Sequence, residues 1–381
     1  DALIKCGVDA HVFSALQVQR LAEVYSPEAA VRCMENGGVA ILACGTANPY
    51  FSTDTGAMLR ALEIEADILM CAKNIDGVYD SDPKQNPLAK RYQTLTYGKI
   101  TACGIDPVEK KPLNHFLPGT GTVSVSSFGC NFTCRHCQNH TLSQEFRHDT
   151  QRAEPEDIVR AAVHAGAKSI SFTYNEPTVF YEFMYDVSRE AQREGLRTAV
   201  ITNGYMTEDA VRDIAPYMDA FRIDLKAFSD SFYSTVCGGA HLQPVLDTIS
   251  SVSELQKHLE LVTLIIPGVN DAPEEISAML SWEKETLGCA VPHHFTAFTP
   301  MYAMTDVRPA VHADVDAVYQ AAKDAGLYYP YVGNVMHAEG STTYCPDCGA
   351  RLILRAGYVC RMPGIKDGCC TSCGRQIEGI F

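Results

Sequence analysis

From residue 122 onward, short apolar runs alternate with amphipathic helical stretches, and that alternation leaves few folds open to the chain. TVSVSS (122–127), KSISFTY (168–174), LRTAVIT (196–202), AFRIDL (220–225), LELVTLII (259–266) and HHFTAF (293–298) read as strands. PEDIVRAAVHAG, VFYEFMYDVSREAQREG and PVLDTISSVSELQKH, between them, carry helical periodicity. A strand joined to the next through a helix pairs with it in parallel by a right-handed crossover. Six such units predict an α/β fold, a partial (β/α)6 barrel over residues 98–340, with its chemistry at the C-terminal ends of the strands.

Two segments flank this core. In residues 1–97, GVAILACG (38–45) and ADILMCA (66–72) enclose the amphipathic DTGAMLRALEIE, a strand, helix, strand unit of Rossmann-like type. Residues 341–381 are rich in Cys, Gly and Arg and hold too few apolar residues for an independent core, so this tail needs a metal or another staple.

The net charge of −15, from 31 Lys and Arg against 46 Asp and Glu, excludes a protein that tracks nucleic acid through a basic groove. A small molecule or a protein partner is the expected substrate. No apolar run is long enough to span a bilayer, and DALIKCGVDA has no signal-peptide pattern, so a cytoplasmic protein without a membrane partner is expected. The missing initiating Met predicts a chain that begins inside a longer gene. In that compartment the 16 cysteines stay reduced, and their clusters point to metals rather than disulfides.

FGCNFTCRHCQNH (128–140) places Cys130, Cys134 and Cys137 on the loop after the first barrel strand. Three thiolates are one short of a closed tetrahedral zinc or an all-cysteine cluster, which predicts a cubane with one iron open to a ligand from outside the protein. A structural zinc completed by His136 or His140 is the alternative. In the tail, CPDC (345–348) and CTSC (370–373) are paired knuckles with 21 residues between them, a spacing that suits a closed structural zinc held by Cys345, Cys348, Cys370 and Cys373. A second iron–sulfur cluster suits the same four thiolates. Cys369 competes with Cys370 but does not give the two-residue gap, and Cys360 is left over.

With its strand and cysteine loop, residues 97–381 resemble the radical S-adenosylmethionine (radical SAM) superfamily. YGKITACGIDPVEKKPLNHFLPGTG (97–121), SFGCNFTCRHCQNHTLSQ, TYNEPTVFYEF, YVGNV (331–335) and the cysteine-rich tail sharpen the likeness to the AmmeMemoRadiSam-system proteins, relatives of the pyruvate formate-lyase activating enzyme. Such proteins usually begin with a further cysteine-rich segment, which is replaced here. The resemblance implies a [4Fe–4S] cluster on the triplet, SAM on its open iron, an external electron donor, and hydrogen abstraction by a 5′-deoxyadenosyl radical. His136 stands where the superfamily usually has an aromatic residue. Glu176, with Asn175 in TYNEPT (173–178), would receive the cofactor's amino group. Glycyl-radical activating enzymes place TNG and DLK segments against the cofactor, which implies the same for Thr202, Asn203, Asp224 and Lys226. Without that resemblance, Glu176 reads as a helix N-terminal acid, Asn203-Gly204 as a turn, and Asp224 with Lys226 as a buried ion pair. PGVND (267–271) and FTPMY (298–302) close later strands with no role implied. A glycyl-radical activase is the alternative reading of the same fold, and a non-catalytic zinc protein the alternative class.

GTANPYFSTDTGAMLRALEIEADILMCAKNIDGVYDSDPKQNPLAKRYQTLTY resembles the C-terminal half of bacterial UMP kinase, of the amino-acid kinase fold, with Ala47 where that family commonly has glycine. The likeness implies a vestigial nucleotide site: Thr46, Asn48 and Thr53 in the UMP segment, and Tyr79 and Asp82 toward ATP. The catalytic lysine and phosphate-binding glycines of the other half are absent, so no kinase activity is expected. The two resemblances meet at QTLTYGKI with no linker, which reads as a gene-fusion or assembly chimaera.

Overall fold

The computed structural model describes residues 7–16, 22–44, 53–66, 96–145 and 150–381. The chain divides into two compact units, Asp1–Tyr92 and Gln93–Phe381.

The first unit contains a parallel sheet in which β1 (Ala10–Ser14) lies between β2 (Glu23–Val24) and β3 (Val39–Ala43). The helix Pro27–Glu35 starts where Ser26 accepts a hydrogen bond from the Ala29 amide at 3.2 Å and Pro27 supplies a pre-set φ. A second helix covers Thr53–Glu63. Val39 and Ile41 are both 40% exposed and Leu62 is 72% exposed, so this half-sheet leaves apolar surface uncovered. Thr46, Asn48, Tyr79 and Asp82, and all but the first residue of ADILMCA, lie outside the described residues; Thr53 opens the second helix.

In the second unit, β4 (Lys99–Ile100) pairs with β7 (Gln151–Arg152). The main sheet has β5 (Ala102–Pro107) antiparallel to β6 (Gly121–Ser126). In parallel order then follow β8 (Ser169–Phe172), β9 (Arg197–Thr202), β10 (Ala220–Asp224), β11 (His258–Ile265), β12 (His293–Ala297) and β13 (Pro330–Gly333). The six expected strands are present in the expected parallel order, and the structure adds β5 and β13 at the two edges. Those edges do not pair with each other, so the barrel is open. Helices such as Pro155–His164, Tyr181–Arg193 and Leu242–Glu254 cover the outer face, burying Phe183, Val187, Val245 and Ile249 completely.

The inner face of the sheet is polar near β6 and β8, where Thr122, Ser124 and Ser171 are fully buried. It is filled from one side by the segment between β5 and β6, which sinks Val108, Leu113 and Phe116 against Ala199, Ile201 and Ala220. A single carboxylate holds this plug. Glu260, fully buried on β11, accepts the Asn114 and His115 amides at 2.8 and 2.7 Å and pairs with His258 and His294 at 2.9 and 2.7 Å. The hydrogen bonds from the two imidazoles hold the Glu260 carboxyl well below the usual range against the opposing cost of its burial.

The tail forms the strands β14 (Thr343–Tyr344), β15 (Arg351–Ala356), β16 (Val359–Arg361), β17 (Ile365–Lys366) and β18 (Cys369–Cys370). It packs Leu352, Ile353 and Ile377 on Tyr329 and Tyr331 of the barrel's last strand region.

Replacing Glu260 with Gln should cost about 3–5 kcal/mol of stability in urea unfolding, the range for removing one partner of a buried ionic cluster. The pH dependence should change with it. Both Glu260 and His115 titrate below their ordinary values in the fold, His115 at about 4 against 6.5 because of burial. Stability is therefore lost as the pH falls from 6.5 toward 4 through His115, and further below the carboxylate range through Glu260. The E260Q variant should lose the second, more acidic part of that slope, and an unchanged acid limb would contradict the assignment.

Candidate functional site

The C-terminal ends of the parallel strands surround a cavity of about 400 Å³. Its rim is built from loops that leave consecutive strands. After β6 the loop carrying Cys130, Cys134 and Cys137 brings all three cysteines to the cavity wall, and none forms a disulfide. Several contacts fix this loop. Asn175 accepts the Ser127 amide at 3.1 Å and donates to the Gly129 carbonyl at 3.0 Å, so its side chain is spent on positioning the loop. The Arg135 amide donates to Val236 O at 2.9 Å, and Ala303, just past FTPMY, donates to Arg135 O at 3.0 Å. Ser143 Oγ lies 3.0 Å from Cys137 Sγ. Burial, then the Glu176 charge, push the Cys130 thiol up to about 12. A bound cation reverses that preference, because coordination deprotonates a thiol outright.

After β8, Tyr174 adopts a left-handed backbone with φ of 71°, held by Asn139 Nδ2 donating to its carbonyl at 2.8 Å. This kink turns Glu176 inward, where it is 4% exposed. Glu176 caps the short 3₁₀ turn Pro177–Phe180 by accepting from the Thr178 amide at 3.1 Å. It also accepts from Thr202 Oγ1 at 2.7 Å and from the Asn203 amide at 2.8 Å, which ties the ends of β8 and β9 together. Asn203 Nδ2 donates to Asn131 Oδ1 at 2.7 Å and reaches Cys130 Sγ at 3.8 Å. At the end of β10, Asp224 pairs with Arg222 and accepts from Lys226 Nζ at 2.9 Å. Asn270, of PGVND, donates to the Lys226 carbonyl at 2.7 Å and so fixes the backbone that carries this lysine.

His136 lies 5% exposed between the second and third cysteines, and its Nδ1 has no hydrogen-bond partner among the described residues. Burial, aided by Lys226, lowers it to about 3, so the ring is neutral at pH 7. His140 stacks on Tyr302 with centroids 4.7 Å apart. Neither histidine gathers with the triplet at the spacing of a single ion: among the described residues only Cys345, Cys348, Cys370 and Cys373 bring their ligand atoms within 4.8 Å of one another. Cys369 and Cys360 stay outside that set, Cys369 in β18 and Cys360 in β16.

Sequence reasoning missed the floor of the cavity. Lys110 and Lys111, from the plug, and Arg222 line it. Asp106 on β5 accepts from both lysines at 2.7 Å, from Ser124 Oγ at 2.6 Å, and from Tyr174 Oη. These donors hold its carboxyl far below the usual range in spite of its desolvation. Arg222 was within reach of a strand argument: it stands two residues before Asp224, so both face the same side of β10.

The sequence pattern of the radical SAM superfamily matches residues 124–280. An uncharacterized protein of Methanocaldococcus jannaschii is 41% identical over 290 residues, covering 75% of this chain and 86% of that protein. The chain belongs to the radical SAM superfamily. The amino acid kinase family matches residues 1–112. A uridylate kinase of Bacteroides thetaiotaomicron is 41% identical over 104 residues, 27% of this chain, and the chain spans only 44% of that kinase. A solved domain of a pyruvate-formate lyase-activating enzyme from Bacteroides vulgatus is 20% identical over 44% of this radical SAM chain and all of that domain, with a TM-score of 0.39.

Replacing Asp106 with Asn leaves the buried Lys111 ammonium without its anion, and should cost about 3–5 kcal/mol in chemical denaturation. Adding Lys111→Met to that variant should recover part of the loss. Equal stability of D106N and the wild type would show that the floor charges are solvated.

Proposed function

We propose that Cys130, Cys134 and Cys137 hold a [4Fe–4S] cluster with one open iron, and that SAM binds between it, Glu176, Thr202, Asn203 and Lys226 in a barrel domain spanning residues 98–340. The observation that carries this reading is the convergence of all three cysteines with those four residues on one cavity at the strand ends. The donor set fits: three cysteine thiols outside any disulfide and a neighbouring cation in Lys226. When bound, the cluster supplies the electron that cleaves SAM to the 5′-deoxyadenosyl radical, which takes a hydrogen atom from the substrate.

The protein's own part is positional. Among the described residues Glu176 accepts hydrogen bonds only from uncharged donors, so it offers its negative charge to the cofactor's ammonium. Asn175 and Ala303 keep the cysteine loop in register, and His136 and Phe132 supply ring surface at the cavity wall. Electrons come from an external reductant.

Anaerobic reconstitution with iron and sulfide should give a brown protein that cleaves SAM to 5′-deoxyadenosine under dithionite. Cleavage at wild-type rate in Cys134→Ala would refute the cluster assignment. A backbone glycine of a partner protein is the second reading of the hydrogen donor, which the kind of enzyme named for the Bacteroides vulgatus domain suggests. A glycyl radical visible by EPR on a glycine-loop peptide would establish it over a small molecule.

The tail, residues 341–381, is proposed to hold one structural zinc on its four gathered cysteines. One equivalent of zinc should survive when the triplet is changed to alanine, and Cys370→Ala should lose it. Iron and sulfide in the tail of the triplet variant would instead mean a second cluster. The kinase-like fragment is proposed to be inactive, with UMP-dependent ADP release at background.

A further inference from the structure

The cavity has two levels. Cys130, Glu176, Thr202 and Lys226 lie at or beyond the strand ends, whereas Arg222 sits two residues before Asp224 on β10, about 6–7 Å deeper along the strand. Lys111 reaches the same depth from the plug: the Arg222 Nε donates to its carbonyl at 3.2 Å. Its side chain is 2% exposed, with Nζ 4.1 Å above the Tyr174 ring centroid.

The cations of this floor are not all held by hydrogen bonds. Lys110, Lys111, Arg222 and Lys226 stand against Asp106, Asp224, Glu176 and Glu260, the last directly opposite Arg222 across β10 and β11. Two imidazoles and two amides occupy the oxygens of Glu260, which makes no hydrogen bond to Arg222. Lys110 and Lys111 share one carboxylate, and burial lowers Lys111 to about 8 in spite of that carboxylate. Arg222 spends Nε on a carbonyl and Nη1 on Asp224, while Nη2 has no partner among the described residues although the side chain is only 12% exposed. A guanidinium edge with a free donor beside a buried ammonium is a receptor for a planar or tetrahedral oxyanion.

We infer that the substrate of this site carries an anionic oxyacid group, a carboxylate or a phosphate, received on the floor by Arg222 and Lys111 with Lys110 at its edge. The group anchors the substrate from below, and the carbon that loses hydrogen stands above it, toward the cysteine rim. Arg222 and Lys226 share Asp224, so the two places adjoin; the SAM carboxylate is assigned to the open iron beside Lys226, past the end of β10, and the floor inside the sheet to the substrate. The inference rests on the radical SAM reading for what happens at the rim and on the floor geometry alone for the anion.

The test uses the cluster-loaded full chain in calorimetric titrations with succinate and, separately, inorganic phosphate, at low chloride. Saturable binding of at least one is expected, weakened at least tenfold in Arg222→Gln and in Lys110→Met, the latter at a 42%-exposed position where folding is not at stake. A preference for succinate marks a carboxylate substrate and a preference for phosphate a phosphorylated one. No saturable binding of either anion, or binding unchanged in both variants, overturns the inference. Wild-type SAM cleavage is measured in the same preparation. If cleavage is absent while the anion binds and the variants weaken it, the rim reading fails and the floor stands.

Discussion

The buried carboxylate of Glu260 is the interaction on which the rest of the barrel depends. An anion with no exposure is tolerated only when its lone pairs are filled, and here two backbone amides and two imidazoles fill them. The two amides belong to Asn114 and His115 of the plug. An open sheet of eight strands leaves its concave face to water unless something fills it. Glu260 converts that liability into a fixed floor by holding the segment that buries Leu113 and Phe116 there. Four residues earlier in that segment, Lys110 and Lys111 are thereby placed at the base of the cavity.

This arrangement separates two kinds of chemistry by depth. Residues at the strand ends stand on loops, where one kink, at Tyr174, and one shared carboxylate, Glu176, set the geometry across β8 and β9. Inside the sheet, Arg222 stands on β10, where spacing follows the strand repeat, and Lys110 and Lys111 stand on the re-entrant segment that Glu260 pins. A reactive radical needs a substrate that cannot drift, and a charged anchor on β10 and on a pinned segment restricts it.

The parallel strands were legible because each is an apolar run joined by a helix of clear period, and six of them declare a fold. The edge strands were not. Ala102–Pro107 holds Gly104, Asp106 and Pro107 and is largely exposed, and Pro330–Gly333 is four residues long, so neither carries an apolar run. The rim was readable because cysteine spacing and the Glu of TYNEPT are local signals. The floor depends on residues far apart in sequence, such as Lys111 with Tyr174 and Asn114 with Glu260, and no periodicity announces a loop that re-enters a sheet. Asn175 shows the other limit. The segment that contains it was readable, but whether its amide faces a ligand or the Gly129 carbonyl is a matter of packing.

The tail adds a second hold on the same plug. The Leu117 amide donates to Ile380 O at 2.6 Å, the Ile380 amide to His115 O at 2.7 Å, and Arg355 Nη2 to Asn114 O at 2.6 Å. His115 also meets Glu378 O and Tyr331 Oη through its two ring nitrogens, at 2.5 and 2.7 Å. Between Arg355 and Ile380 lies the second cysteine knuckle, Cys370 and Cys373. A segment with so few apolar residues needs a staple, and the four gathered thiols stand where one would set the path of the chain end. The gathered cysteines are remote from the cavity in function and adjacent to it in mechanics: they fix Ile380, Ile380 fixes His115 and Leu117, and these continue the segment that carries Lys111. A change at one of these cysteines therefore reaches the cavity floor through backbone hydrogen bonds, without touching the cysteine triplet at the rim.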